Sequence, residues 1–130
     1  MDFGTQIIKG TAPSKSNCYR IIIVKGDKRK GEKDHGGLRK TDALVAYENA
    51  FYMQCGKYRN LKIDSFFEFY VDVYYPSNRS DLDNSLKTLL DCLQYTKTIT
   101  NDNKCIQIHA RKFIDAADPR VEFRIVTIDN

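Results

Sequence analysis

Asp81-Leu82-Asp83-Asn84, with Lys87 one helical turn later and Asp102 beyond a further loop, places three carboxylates and a lysine at the ends of short elements. Those residue types suit a hard divalent cation. Mg²⁺ takes oxygen ligands, typically one or two carboxylates, and completes its shell with substrate phosphate and water. Asp81, Asp83 and Asp102 are therefore candidate ligands for Mg²⁺ or Mn²⁺. An extended backbone over residues 81–83 would turn Asp81 and Asp83 to one face and Leu82 into a core. Lys87, four residues after Asp83, would share its helical face. There it would offset carboxylate repulsion, contact a phosphate or stabilise a leaving oxygen. Phosphodiester hydrolysis needs a coordinated water nucleophile and positive charge on the developing oxyanion, and carboxylate-held metal ions supply both.

Each aspartate taken singly has a structural explanation. Asp83 can cap a helix and Asp81 a turn. Asp102 lies in Asn101-Asp102-Asn103, where such residues make local turns. The segment lacks the ligand spacing and glycine of a calcium-binding EF-hand loop. Residue types and spacing thus leave a phosphoryl-transfer site and a set of capping residues side by side.

The elements that must position these residues are legible from periodicity. Residues 66–75 alternate strictly, with Phe67, Phe69, Val71, Val73 and Tyr75 on one face and Phe66, Glu68, Tyr70, Asp72 and Tyr74 on the other, which predicts a strand that Pro76 stops. Leu86, Leu89, Leu90 and Leu93 fall at helical spacing and predict a helix over about 83–95. Leu44, Tyr47, Phe51 and Cys55 predict another over about 41–55, capped by Thr41 or Asp42 and ended by Gly56. Short strands are expected at 6–9, 19–24, 106–113 and 121–128. Strands interleaved with two main helices imply a single small α+β domain, 1–130, around a mixed sheet.

The chain has 130 residues, is 42% hydrophobic and 29% charged, and carries a net charge of +4. Residues 25–40 hold seven basic against three acidic residues, so this segment carries the whole excess. Broken by Gly26, Gly31, Gly36 and Gly37, it reads as a basic loop, and Lys28, Arg29, Lys30 and Lys33 are candidate contacts to a nucleic-acid backbone. A solvated loop without a partner is the competing reading. No apolar run approaches the roughly 20 residues that cross a bilayer, and no export signal opens the chain, so a cytoplasmic location is expected. Cys18, Cys55, Cys92 and Cys105 show no zinc spacing and read as reduced, partly buried thiols. His109 reads as a second-face histidine and His35 as a solvated one. Tyr70, Tyr74 and Tyr75 read as sheet packing or dimer contact before base stacking.

Asp81-Leu82-Asp83-Asn84, Lys87, Leu89-Leu90-Asp91, Asn101-Asp102 and Ile106 together resemble the RusA family of Holliday junction resolvases, crossover-junction endodeoxyribonucleases of bacteria and their phages. Pro13-Ser-Lys-Ser-Asn17 before a strand is similar to the family's N-terminal segment. The resemblance covers nearly the whole chain, most strongly residues 79–106. It implies a homodimer that binds four-way DNA junctions and nicks opposed strands with Mg²⁺ or Mn²⁺. Asp81, Asp83 and Asp102 would be the metal-binding catalytic carboxylates, and Lys87 the catalytic or positioning lysine. Lys112 matches a position where relatives often carry a basic residue, which makes it a further candidate DNA contact. Relatives can have an arginine run before the motif, where this chain has only Asn78-Arg79-Ser80; DNA contact would then rest on Arg79 and shift toward the basic loop. Two other readings stand beside this one: a nuclease that prefers flaps or forks, and a branched nucleic-acid binding module without chemistry.

Overall fold

The computed structural model describes residues 1–128. Their order is β1 (Gln6–Lys9), β2 (Tyr19–Val24), β3 (His35–Lys40), α1 (Asp42–Gln54), β4 (Phe67–Tyr75), α2 (Leu82–Tyr95), β5 (Cys105–Ile114) and β6 (Arg120–Thr127). Four strands make one sheet in the order β1-β6-β4-β5, in which β4 and β5 are parallel and the other pairs antiparallel. The sheet is therefore mixed, and with its two helices the fold is α+β, as the patterning implied.

β4 is the middle of the core because its alternation is uninterrupted. Phe67, Phe69, Val71, Val73 and Tyr75 are all buried, and their even-numbered neighbours are half-buried on the other face. Leu89, Leu90 and Leu93 of α2 and Tyr47 and Phe51 of α1 pack with the buried row in one cluster. Phe123 of β6 sits at its centre. Its ring stacks on Phe51 at 5.6 Å and meets Tyr58 at 4.9 Å and Phe69 at 6.2 Å. Thr41 caps α1 by accepting from the Leu44 backbone N–H. All four cysteines are free, three of them buried.

Two expectations are corrected here. The basic segment 25–40 is not wholly loop: its last six residues are β3, which pairs residue for residue with β2, from Tyr19 opposite Lys40 to Val24 opposite His35. The glycine pair that suggested a loop is tolerated in a hairpin arm whose exposed positions bury little anyway. Ile21, Ile23 and Leu38 are 86%, 72% and 72% exposed. The remaining basic residues form the hairpin tip. Gly26 is needed there, since a Cβ on it would lie 2.5 Å from the Glu32 carbonyl oxygen. Residues 81–83 are also not extended throughout. Only Asp81 is (φ −92°, ψ 136°), as the N-cap of α2, and the helix begins at Leu82.

The packing predicts unequal costs. Phe123→Ala should destabilise by about 3–5 kcal/mol, whereas Ile21→Ala in the exposed arm should stay within about 0.5 kcal/mol. Denaturant unfolding of both variants measures this; equal losses would contradict a core centred on Phe123.

Candidate active site along one flank of α2

The strand–helix–strand unit β4–α2–β5 fixes where the candidate residues fall. Since β5 runs parallel to β4, α2 must carry the chain back along the strands, so residues 81–83 and residue 102 reach opposite ends of the helix. Asp81 and Asp83 sit exposed at its start. Asp81 stands at the capping position, yet its carboxylate makes no capping hydrogen bond. Neither aspartate enters an ion pair among the described residues. Both charges reach the buried Tyr75 hydroxyl and help hold its ionisation above the usual range, after desolvation as the main cause. That shared influence puts the two carboxylates on the same end of the sheet.

Lys87 lies about 6 Å further along the helix axis from Asp83. Its ammonium donates to Asp102, and it also pairs with Asp91 at 3.1 Å, one turn on. The hydrogen bonds to Asp102 and then to Asp91 raise its pKa above the ordinary lysine value. Asp102 opens a short 3-10 turn, Asp102–Lys104, whose capping Asn101 side chain accepts from the Asn103 N–H. The Asp102 backbone N–H donates to Gln94 Oε1 at 2.8 Å. Its carboxylate is thereby held against the flank of α2, level with Lys87 and Asp91.

Asp83, Lys87 and Asp91 thus follow one helix flank at i,i+4 spacing, with Asp102 against Lys87 and Asp81 at the head of the helix. Among the described residues no group of three or more His, Cys, Asp or Glu side chains is gathered as a metal-ligand set. The donor chemistry still fits a Mg²⁺-type ion, which needs only one or two carboxylates when phosphate and water complete the shell. Of the three candidate ligands, Asp81 and Asp83 enter no ion pair among the described residues.

The chain matches the model of endodeoxyribonuclease RusA over residues 23–126. It belongs to the RusA family. No curated protein matches the chain. Family membership makes it an endodeoxyribonuclease, which sets aside the reading as a binding module without chemistry. The matched span takes in β3, both helices, the Asp81–Asp83 segment and the Asp102 turn. No described helix is long and apolar enough to cross a membrane.

The other candidate residues are placed as follows. Lys28, Arg29 and Lys30 form a single 3-10 turn at the hairpin tip, with the Asp27 carboxylate accepting from the Arg29 N–H. Lys25 and Lys28 pair with Asp34 at 3.3 Å, while Arg29, Lys30 and Lys33 enter no ion pair among the described residues. Arg79 is exposed in the turn ahead of α2. Lys112 is half-buried and donates to the Ser80 carbonyl. His109 lies on the sheet face opposite α2, stacked on Tyr70 at 4.4 Å, and Tyr74 stacks on Phe113 at 4.8 Å. Arg124 and Arg120 cover the two tyrosines at 4.1 Å and 3.7 Å, so sheet packing accounts for these rings. Sequence reasoning gave no role to Asp91 or Gln94. Asp91 was legible through its i,i+4 spacing from Lys87; no local signal marks Gln94.

Because its pKa is raised, Lys87 keeps its charge through the whole range below the unfolded lysine value of about 10.4. The ion pairs' contribution is fully present below that value and lost as pH rises through the folded pKa. The stability difference between the wild type and Lys87→Met should therefore be flat from about pH 6 to pH 9.5 and close only above that range. Thermal unfolding across pH tests this; a difference vanishing between pH 7 and 9 would contradict it.

Proposed function

We propose that this RusA-family protein is a metal-dependent, structure-selective endonuclease that resolves four-way DNA junctions by paired nicking of opposed strands. The observation that supports the reading is the placing of Asp81 and Asp83, exposed and without an ion pair among the described residues, at the start of the helix on which Lys87, one turn after Asp83, pairs with Asp102 and Asp91. Asp81 and Asp83 would hold Mg²⁺ or Mn²⁺, which supplies an activated water and a counter-charge for the reacting phosphate. Lys87 places a fixed positive charge one turn from that pair, where it can stabilise the charge that develops on a phosphate oxygen. Asp102 aims Lys87 through Oδ2, and its Oδ1 could serve as the third metal ligand that the family resemblance implies.

A homodimer suits the substrate, since a twofold-symmetric pair presents two sites to the two related strands of a junction. The DNA surface includes the hairpin tip, where Arg29, Lys30 and Lys33 have no acidic partner among the described residues, and exposed Arg79 just ahead of the carboxylates. The arm carries these cations beyond the four-stranded sheet, so it can follow a phosphate backbone without disturbing the site.

Asp81→Asn and Asp83→Asn should each abolish cleavage of a four-way junction while leaving binding intact or tighter, because a charge that repels phosphate is removed. Lys87→Ala should slow single-turnover cleavage at saturation on the order of 100-fold. Asp102→Asn should be similarly slow yet bind Mn²⁺ normally if it only aims Lys87, and bind Mn²⁺ weakly if it is also a ligand. Cleavage at the wild-type rate in the Asp81 and Asp83 variants would reject the site.

Replacing Lys28, Arg29, Lys30 and Lys33 by neutral residues should weaken junction binding across DNA sequences. It should also make the log–log salt slope shallower by about 0.9 per lost phosphate contact. Cleavage at saturating protein should persist. Superimposable slopes would place the DNA surface elsewhere.

A further inference from the structure

Lys112 lies opposite Val73 in the β4–β5 register, on the helix-facing side of the sheet. No carboxylate pairs with it among the described residues. Its ammonium donates instead to the backbone carbonyl of Ser80, the residue before Asp81, and stands 5.7 Å from the centre of the Tyr75 ring. The Tyr75 hydroxyl donates to Ser85 Oγ at 2.6 Å and also contacts the Asp81 carbonyl at 3.4 Å. The Ser80 carbonyl is therefore held by Lys112, and the Tyr75 ring beneath that ammonium places its hydroxyl against Ser85 and the Asp81 carbonyl at the first turn of α2. The Asp81 carbonyl also accepts from the Asn84 N–H at 3.2 Å, whereas ahead of it the Pro76–Ser80 turn shows the Arg79 N–H donating to Ser77 Oγ at 3.4 Å.

We propose that Lys112 is a positioning residue for Asp81, acting with Tyr75 to fix the peptide that aims the Asp81 carboxylate. The proposal rests on the reading of Asp81 as a metal-binding carboxylate. The physical need is plain. Asp81 has no capping bond to hold its side chain, so its direction depends on the backbone beneath it. Mg²⁺ demands near-ideal oxygen geometry at about 2.0–2.1 Å, and shifts of about 1 Å at such a centre cost on the order of 100-fold in rate. A half-buried lysine already bonded to a carbonyl has its ammonium committed inward, unlike the unpaired cations of the hairpin tip. Supporting side chains of this kind typically govern metal affinity or activity by 10–100-fold when lost.

Lys112→Met keeps the apolar stem and removes the ammonium. Three quantities decide the matter: Mn²⁺ binding to the DNA-free protein by paramagnetic resonance, junction affinity across a salt series, and single-turnover cleavage at saturation. The expected result is Mn²⁺ affinity and cleavage both lowered about tenfold or more, with the salt slope unchanged. Cleavage should recover in part at high Mg²⁺ and in Lys112→Arg. Tyr75→Phe, which removes only the hydroxyl, should weaken Mn²⁺ binding in the same direction; should Lys112→Met fail to fold, Lys112→Gln and Tyr75→Phe carry the same readouts. A slope shallower by about one unit with Mn²⁺ binding unchanged would make Lys112 a phosphate contact and overturn the proposal, as would wild-type values throughout. Asp81→Asn run in parallel separates the two levels. If it cleaves normally with metal, the site reading fails; if it is inactive while Lys112→Met is normal, only the positioning role fails.

Discussion

The parallel pairing of β4 with β5 is the constraint on which the rest depends. Parallel neighbours cannot be joined by a tight turn, so a crossover must carry the chain back, and α2 is that crossover. Its apolar row of Leu89, Leu90 and Leu93 lies on the buried face of β4, which leaves the flank bearing Asp83, Lys87 and Asp91 toward solvent. One end of the crossover delivers Asp81; the far end returns through the Asp102 turn into β5. Lys87 and Asp102 are therefore neighbours because of the sheet's topology, though they lie 15 positions apart in sequence.

Charge distribution then divides the molecule into surfaces of different use. On the open sheet face every arginine is answered: Arg111 forks onto Asp72 with both contacts at 2.8 Å, Arg120 binds Glu122 and Asp115, and Arg124 binds Asp2. That face is neutralised and aromatic. At the hairpin tip the balance is reversed, with Asp34 shared between Lys25 and Lys28 and further cations left over. Arg29, Lys30 and Lys33 of the arm and Arg79 ahead of α2 are among the cations that enter no ion pair among the described residues.

Much of this was legible in the sequence, for a physical reason in each case. The alternation of residues 66–75 and the leucine spacing of α2 mark elements whose burial is one-sided, and burial dictates pattern. Thr41 and Gly56 mark helix ends through backbone requirements that few residues meet. β3 was hidden because Gly36 and Gly37 carry no side-chain signal, and its partner β2 buries too little to impose one. The start of α2 was misjudged at Asp81-Leu82-Asp83, where strand alternation and a helix's first turn place the same residues differently. The placing of Asp102 against Lys87, with Asp81 and Asp83 at the head of the helix, depends on strand order and on Gln94 holding the Asp102 N–H, and neither is written locally. The family motif points to Asp81, Asp83, Lys87 and Asp102 without stating their separation.

The central claim is that the Asp81–Asp83 pair and Lys87 cut branched DNA with a divalent metal. The most direct measurement uses an end-labelled four-way junction beside a linear duplex of the same sequence, each incubated with Mg²⁺ and with chelator. The account predicts symmetric nicks in opposed strands of the junction, only with Mg²⁺, and little cutting of the duplex. Equal cutting of both substrates, or cleavage that persists in chelator, would contradict it.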